Sequence, residues 1–341
     1  MGNLASKPHN HVTKDLKGKY VLLYGSPKSG KTSMAVQFPK NLLLAVEQGY
    51  NALDDIAVAD VPDWKAFLKY VKELESDEED KAAFDTITID TISLLYDRCV
   101  DYICDREDVN ELGEIGQNNG GYKMVTRELE RALSRLIMAG YGLVLICHEK
   151  REVDKNSGTI KVTLDMSQSV AKMINKLVDA TVYLGTENGK RYLYPRNTTI
   201  TQNGVVTQVE AGSRFAELND KIECNYESFA AAMTDAMEKD AKNKGYKLTD
   251  EPVKAEVAEG AKVDFKNVKK SIATIAKAFK ELDDSMEDPY LMDYYKGVVR
   301  DYLGSGRGVK DATEIQADQL ALILDDLKDY IKQNKLDIAV D

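Results

Sequence analysis

Short apolar runs at 19–24, 41–46, 86–90, 142–147 and 180–184 punctuate the chain, each long enough for one strand and too short for a buried helix. Between them, 64–74 and 125–138 most clearly place apolar residues at helical spacing, and 31–38 reads as a helix directly after the first run. Strands apolar on both faces need helices above and below. The right-handed crossover rule then favours a doubly wound α/β core with a mostly parallel sheet. After Tyr183 the runs 190–193, 198–201 and 205–209 alternate and are split by Glu-Asn-Gly and Gln-Asn-Gly turns, so antiparallel strands are expected to finish the sheet at its edge.

From about Met237 to Lys262 the chain is dominated by Lys, Glu, Asp and Ala, with Pro252 and Gly260, which reads as a fraying helix running into a linker. Beyond it, 268–282, 290–303 and 318–333 repeat at helical spacing, interrupted by Asp288-Pro289 and by the glycine-rich 304–308. The expected layout is an N-terminal segment 1–18, a core 19–236, a linker 237–263 and a small helical C-terminal module 264–341. No internal repeat points to a solenoid.

Composition narrows the function classes. With 43% hydrophobic and 30% charged residues the chain reads as soluble, and no run approaches the roughly 18 apolar residues of a membrane span. Cys99, Cys104, Cys147 and Cys224 show no metal-type spacing and no leader precedes them, so free thiols in a reducing cytoplasm are expected. Gly2 and Ser6 match an acylation pattern that, with no second membrane signal, reads as coincidence. A net charge of -11 argues against a broadly basic nucleic-acid-coating surface and leaves a local basic loop open.

The strongest chemistry lies at Gly25, Ser26, Pro27, Lys28, Ser29, Gly30, Lys31 and Thr32, which fit G-x-x-x-x-G-K-[ST] between a predicted strand and a predicted helix that continues with Ser33. Glycines let backbone N–H groups approach phosphates, Lys31 reaches the β- and γ-phosphates, and Thr32 supplies a magnesium ligand. Three further residues end apolar runs on the edge where open α/β sheets build sites. Asp90 is the candidate partner of a nucleotide-bound magnesium, with a plain strand-end turn as the alternative. Glu47 is the candidate base for an attacking water, or else a solvated loop residue. His148 is a candidate γ-phosphate sensor, or a histidine satisfied locally at a strand end.

The order of phosphate loop, Glu47-Gln-Gly49, Asp90 and His148 resembles the RecA/RadA core, and within it the reduced, phage-encoded ATPases of single-strand annealing and recombination. The resemblance covers about 17–215 and implies a RecA-like P-loop NTPase fold, ATP and magnesium as cofactors, and a homo-oligomer with nucleotide near its subunit interfaces. It implies that 150–169 is a DNA-binding loop, with Lys150, Arg151, Lys155 and Lys161 neutralising the phosphates of single-stranded DNA; a solvated hairpin tip is the alternative. It also implies that Arg196, and after it Arg191, act on a neighbouring subunit's nucleotide, although Tyr194-Pro-Arg-Asn197 departs from the family's Lys-Asn-Arg element. Gly120-Gly-Tyr122 matches the family's first DNA loop only loosely, and no polymerisation motif stands out in 1–18. The helical tail resembles modules that contact partners, such as a single-strand binding protein or another recombination protein.

The expected activity is therefore DNA-dependent ATP hydrolysis on single-stranded DNA in the cytoplasm of a bacterial host, promoting annealing or strand pairing. A helicase-type loader or motor and a nucleotide-gated interaction protein are the alternatives.

Overall fold

A computed structural model describes residues 12–14, 16, 18–116, 120–202, 205–249, 264–286, 289–304, 306–313, 316–336 and 338. The Gly2 pattern and 250–263 of the expected linker lie outside them. The chain divides into two compact units, Met1–Ala255 and Glu256–Asp341.

The first unit begins with β1 (Tyr20–Gly25), α1 (Lys31–Ala35), β2 (Asn41–Ala45), β3 (Ala57–Asp60), α2 (Trp64–Ser76), α3 (Glu78–Ala83), β4 (Thr86–Asp90) and α4 (Ile92–Glu107). It continues with α5 (Gly120–Met138), β5 (Gly142–Val153), β6 (Ile160–Leu164), α6 (Gln168–Leu177), β7 (Ala180–Glu187) and β8 (Lys190–Tyr194). Last come β9 (Thr198–Gln202), β10 (Val205–Val209), β11 (Gly212–Ser213), β12 (Ile222–Glu223) and α7 (Tyr226–Lys244).

The strands order as β12-β8-β7-β1-β5-β4-β2-β3, parallel from β7 to β3. This is the mostly parallel α/β core expected of a P-loop NTPase. Alternation along each strand divides the core in two. Leu22, Tyr24, Leu143, Leu145 and Cys147 pack on one face with residues of α2, α4, α5 and α6. Val21, Leu23, Val144 and Ile146 pack on the other with Met34 and Ala35 of α1 and Phe229 and Met233 of α7. Helix α2 shows how locally this is encoded: Trp64, Phe67, Val71 and Leu74 form one buried stripe, and Asp63 accepts the Ala66 N–H at 2.8 Å to cap its start.

Three expectations are corrected. Of the late alternating runs, β8 extends the sheet antiparallel to β7, but β9 pairs with β10 and β10 with β6. The segment 150–169 is no loop. Strand β5 runs past the sheet to Val153, turns where Asp154 Oδ1 accepts the Asn156 and Ser157 N–H groups, and returns as β6 before α6 begins. Period-two alternation at Ile160, Val162 and Leu164 explains the hairpin. The boundary expected after 236 falls inside α7, whose Met237 and Ala241 are buried and whose end is set by Gly245 at φ 75.

The second unit packs α8 (Phe265–Asp283), α9 (Leu291–Leu303) and α10 (Ala317–Gln333) around Ile275, Phe279, Leu291, Leu320, Ile323 and Leu327. The Asp283 carboxylate accepts the N–H groups of Tyr290, Leu291 and Met292, satisfying donors that open α9. Among the described residues no helix is long and apolar enough to cross a membrane.

Candidate nucleotide site

The loop 25–32 leaves the central strand and enters α1. Pro27 and Lys28 occupy the middle of a turn closed by the Ser29 N–H to the Ser26 carbonyl at 3.2 Å. Lys28 adopts φ 63, as the third position of such a turn requires, and its side chain is exposed. Gly25 has no room for a side chain, since a Cβ would collide with the Leu184 carbonyl of β7. Lys31 is 5% exposed, and its ammonium donates to the carbonyls of Gly25 at 3.0 Å and Ser26 at 2.8 Å. Burial lowers its pKa, an effect opposed by the carboxylates of Asp90, Glu47 and Glu149. Ser33 lies exposed in the first turn of α1.

The sheet brings the other candidates to this loop. Asp90 ends β4 at 2% exposure, and its Oδ2 accepts the Thr32 hydroxyl at 2.6 Å while its Oδ1 has no partner. Burial raises its pKa, and the Thr32 bond opposes the rise. The Asp90 carbonyl accepts the N–H groups of Val46 at 2.7 Å and Glu47 at 3.1 Å, fixing Glu47 just past β2. Strand β5 lies between β1 and β4 and sets His148 opposite Gly25. His148 Nε2 then stands 3.5 Å from Glu47 Oε2, while its buried Nδ1 has no partner.

Sequence reading missed Glu149. Its Oε1 accepts the Ser26 hydroxyl at 2.6 Å and the Arg151 Nε–H at 2.5 Å, and its Oε2 is buried without a partner. The signal was parity: Glu149 continues the series Leu143, Leu145, Cys147 that faces the core, where a carboxylate needs a specific reason to be. Beneath the loop, burial pushes the Cys147 thiol up to about 12, so it is no nucleophile at neutral pH. All four cysteines are free.

These residues fit a nucleotide with its magnesium. Lys31 is bonded to carbonyls it can exchange for phosphate oxygens. The unpartnered oxygen of Asp90 beside Thr32 offers a hard-cation ligand pair. No cluster of three or more His, Cys, Asp or Glu able to hold a metal occurs among the described residues, so the protein alone supplies no full cage, as expected where phosphates and water complete the shell.

The remaining candidates lie elsewhere. Arg196 is tied within its own chain, donating to the carbonyls of Leu218 at 3.0 Å, Phe215 and Ala216 and pairing with Asp220 at 3.2 Å, so it braces 215–220 and does not reach the loop. The hairpin cations are largely compensated: Lys150 pairs with Glu152 at 2.8 Å, Arg151 with Glu149, and Lys161 with Glu210 at 2.6 Å. Lys155 sits exposed in the turn between β5 and β6, and among the described residues it pairs with no carboxylate. Gly120, Gly121 and Tyr122 form the first turn of α5, where Gly121 leaves no space between its backbone and the Leu112 carbonyl.

Comparison with known proteins agrees with this geometry. Over 94% of its length the chain is 24% identical to the SPbeta prophage-derived uncharacterized protein YorG of Bacillus subtilis strain 168, covering 96% of that protein. Residues 17–204 match the family model described as an AAA domain, more than half of the 341 residues and the whole of the loop, Glu47, Asp90 and His148. The chain belongs to this AAA-domain family of P-loop ATPases.

Proposed function

We propose that the protein is a magnesium-dependent ATPase that binds single-stranded DNA and promotes annealing or strand pairing in phage recombination or replication. The observation that carries this reading is the continuity of β5. One strand sets His148 and Glu149 beside the phosphate loop and then projects as the hairpin that holds Lys150, Arg151, Lys155 and Lys161. Glu149 accepts bonds from Ser26 of the loop and from Arg151 of the hairpin, so a phosphate that recruits the Ser26 hydroxyl changes what holds the hairpin base.

In the hydrolytic step Lys31 would exchange the Gly25 and Ser26 carbonyls for phosphate oxygens, and Thr32 and Asp90 are the residues that would hold magnesium, whose chemistry there would be charge neutralisation. Glu47, oriented from behind by the Asp90 carbonyl, accepts a proton from the attacking water or holds it in line, and His148 beside it registers the terminal phosphate. The prophage origin of the relative supports a phage setting, and with it the cytoplasm of a bacterial host. The separate helical unit supports partner docking, for which a single-strand binding protein or another recombination protein is proposed. Assembly is proposed as a homo-oligomer with nucleotide near its interfaces.

The test is steady-state ATP hydrolysis with and without single-stranded DNA, with Lys31→Ala as the blank. Stimulation by DNA supports the reading. Hydrolysis indifferent to DNA redirects it to a motor or loader, and none at all to a nucleotide-gated adaptor.

A further inference from the structure

Arg191 lies against the phosphate loop of its own chain. A Cβ placed on Gly30 would stand 2.7 Å from Arg191 Nη1 and 3.2 Å from Cζ, so the guanidinium covers the surface that glycine leaves bare, one residue before Lys31. The placement follows from strand parity. Arg191 and Leu193 share a face of β8, and Leu193 belongs to the apolar layer that also contains Met34 and Ala35 of α1. The turn at Asn188 and Gly189, both at positive φ, sets the register that pairs Arg191 with Thr186 of β7, and β7 pairs Leu184 with Gly25. On its other side the Arg191 carbonyl accepts the Cys224 N–H at 3.3 Å. The backbone beneath the guanidinium is therefore held on both sides, at a fixed offset from the loop.

Among the described residues the guanidinium itself has no carboxylate partner, and Arg191 is exposed. Arg135, Arg151, Arg196 and Arg214 each pair with a carboxylate. A second protein cation at the loop would add to the charge that magnesium brings. Lys31 already faces Asp90, Glu47 and Glu149, so a polyphosphate entering the loop meets more carboxylates than ammonium groups.

The geometry points to Arg191 as a clamp in cis: its guanidinium binds the phosphate oxygens of a nucleoside triphosphate held in the loop of the same subunit. The inference rests on the nucleotide reading of that loop and goes beyond it in naming the residue and the subunit that supplies it. A planar fork matches two phosphate oxygens as an ammonium cannot, so lysine is an incomplete substitute. The clamp belongs to its own subunit because the side chain reaches Gly30 within one chain, unlike Arg196, which stays bound to 215–220.

Binding of a fluorescent, slowly hydrolysed ATP analogue to the full chain tests this by titration of wild type, Arg191→Ala, Arg191→Lys and Lys31→Ala. Arg191→Ala should weaken binding about 10- to 100-fold with an unchanged melting temperature, and Arg191→Lys should recover part of the loss. Hydrolysis by mixed subunits then separates cis from trans. Lys31→Ala chains carry an intact Arg191 but an impaired loop, so mixing them with Arg191→Ala chains should restore nothing. Recovery of activity on mixing would assign the arginine to a neighbour's nucleotide, and unchanged affinity in Arg191→Ala would remove it from the site. Equal binding by wild type and Lys31→Ala would instead overturn the nucleotide reading of the loop, and the clamp with it.

Discussion

Asp90→Asn separates what the site does for the fold from what it does for a ligand. The wild-type carboxylate accepts the Thr32 hydroxyl at 2.6 Å, a charge-assisted bond that contributes about 1.5–3 kcal/mol. Against it stand burial at 2% exposure, an oxygen with no partner and repulsion from Glu47, and an unpaired buried acceptor alone costs about 1–3 kcal/mol. Asparagine keeps an oxygen for Thr32 and sheds the charge. The two effects therefore cancel to within about 1 kcal/mol, a shift of about 2–4 °C in melting temperature for a unit of this size. The pH dependence has a definite sign. Burial raises the folded-state pKa of Asp90, so its contribution to stability is fully present below the ordinary carboxylate value of about 3.9 and is lost as pH rises through the raised value. Relative to wild type, the asparagine variant should be at its best at pH 8 and lose ground as the solution is acidified. Magnesium-dependent nucleotide binding should fall at least tenfold at the same time, because a neutral amide is a poor ligand for a hard cation. Thermal melts from about pH 4, near the ordinary carboxylate value, up to pH 8, paired with nucleotide titrations with and without magnesium, read both. A loss beyond about 8 °C at pH 8, or a gap that ignores pH, would show that the carboxylate holds the fold together and refute the reasoning.

Other expectations are simpler to state. Lys31→Ala should lose nucleotide affinity, while Glu47→Gln should keep it and lose turnover by about 100-fold or more, as nucleotide titration and steady-state hydrolysis will show; equal turnover would remove Glu47 from the chemistry. If the hairpin binds single-stranded DNA, Lys155→Ala should reduce the slope of log affinity against log salt by about 0.7, and Lys155→Ala with Lys161→Ala by up to about 1.4. An unchanged slope would move the DNA to another surface. Asp283→Ala removes the acceptor shared by three N–H groups at the start of α9 and should lower the unfolding midpoint of the C-terminal unit. The only tryptophan, Trp64, lies in the other unit, so circular dichroism should move while tryptophan fluorescence does not.

How much of this was legible in the sequence depends on how locally each feature is encoded. The phosphate loop was fully legible because one contiguous octapeptide carries both its chemistry and its strand-to-helix context. Asp90, Glu47 and His148 were legible as strand ends, because a parallel sheet aligns the ends of its strands on one edge, and the structure brings the three together around Lys31 and Thr32. Pairings between distant segments were not legible. Lys161 meets Glu210 only because β10 turns away from the main sheet to join β6, and that choice of partner strand leaves no trace in the alternation of either segment. A stretch rich in Lys and Arg therefore read as open positive charge, whereas folding supplied three of its four cations with a glutamate. The same non-local pairing divides the two arginines after β7. Arg191 and Arg196 are equally polar in sequence and only five positions apart, but β8 is pinned to β7 while the chain beyond Pro195 folds back on 215–220. Register leaves the first beside the loop of its own chain and packing holds the second against 215–220, a difference that identity and spacing in a motif do not carry.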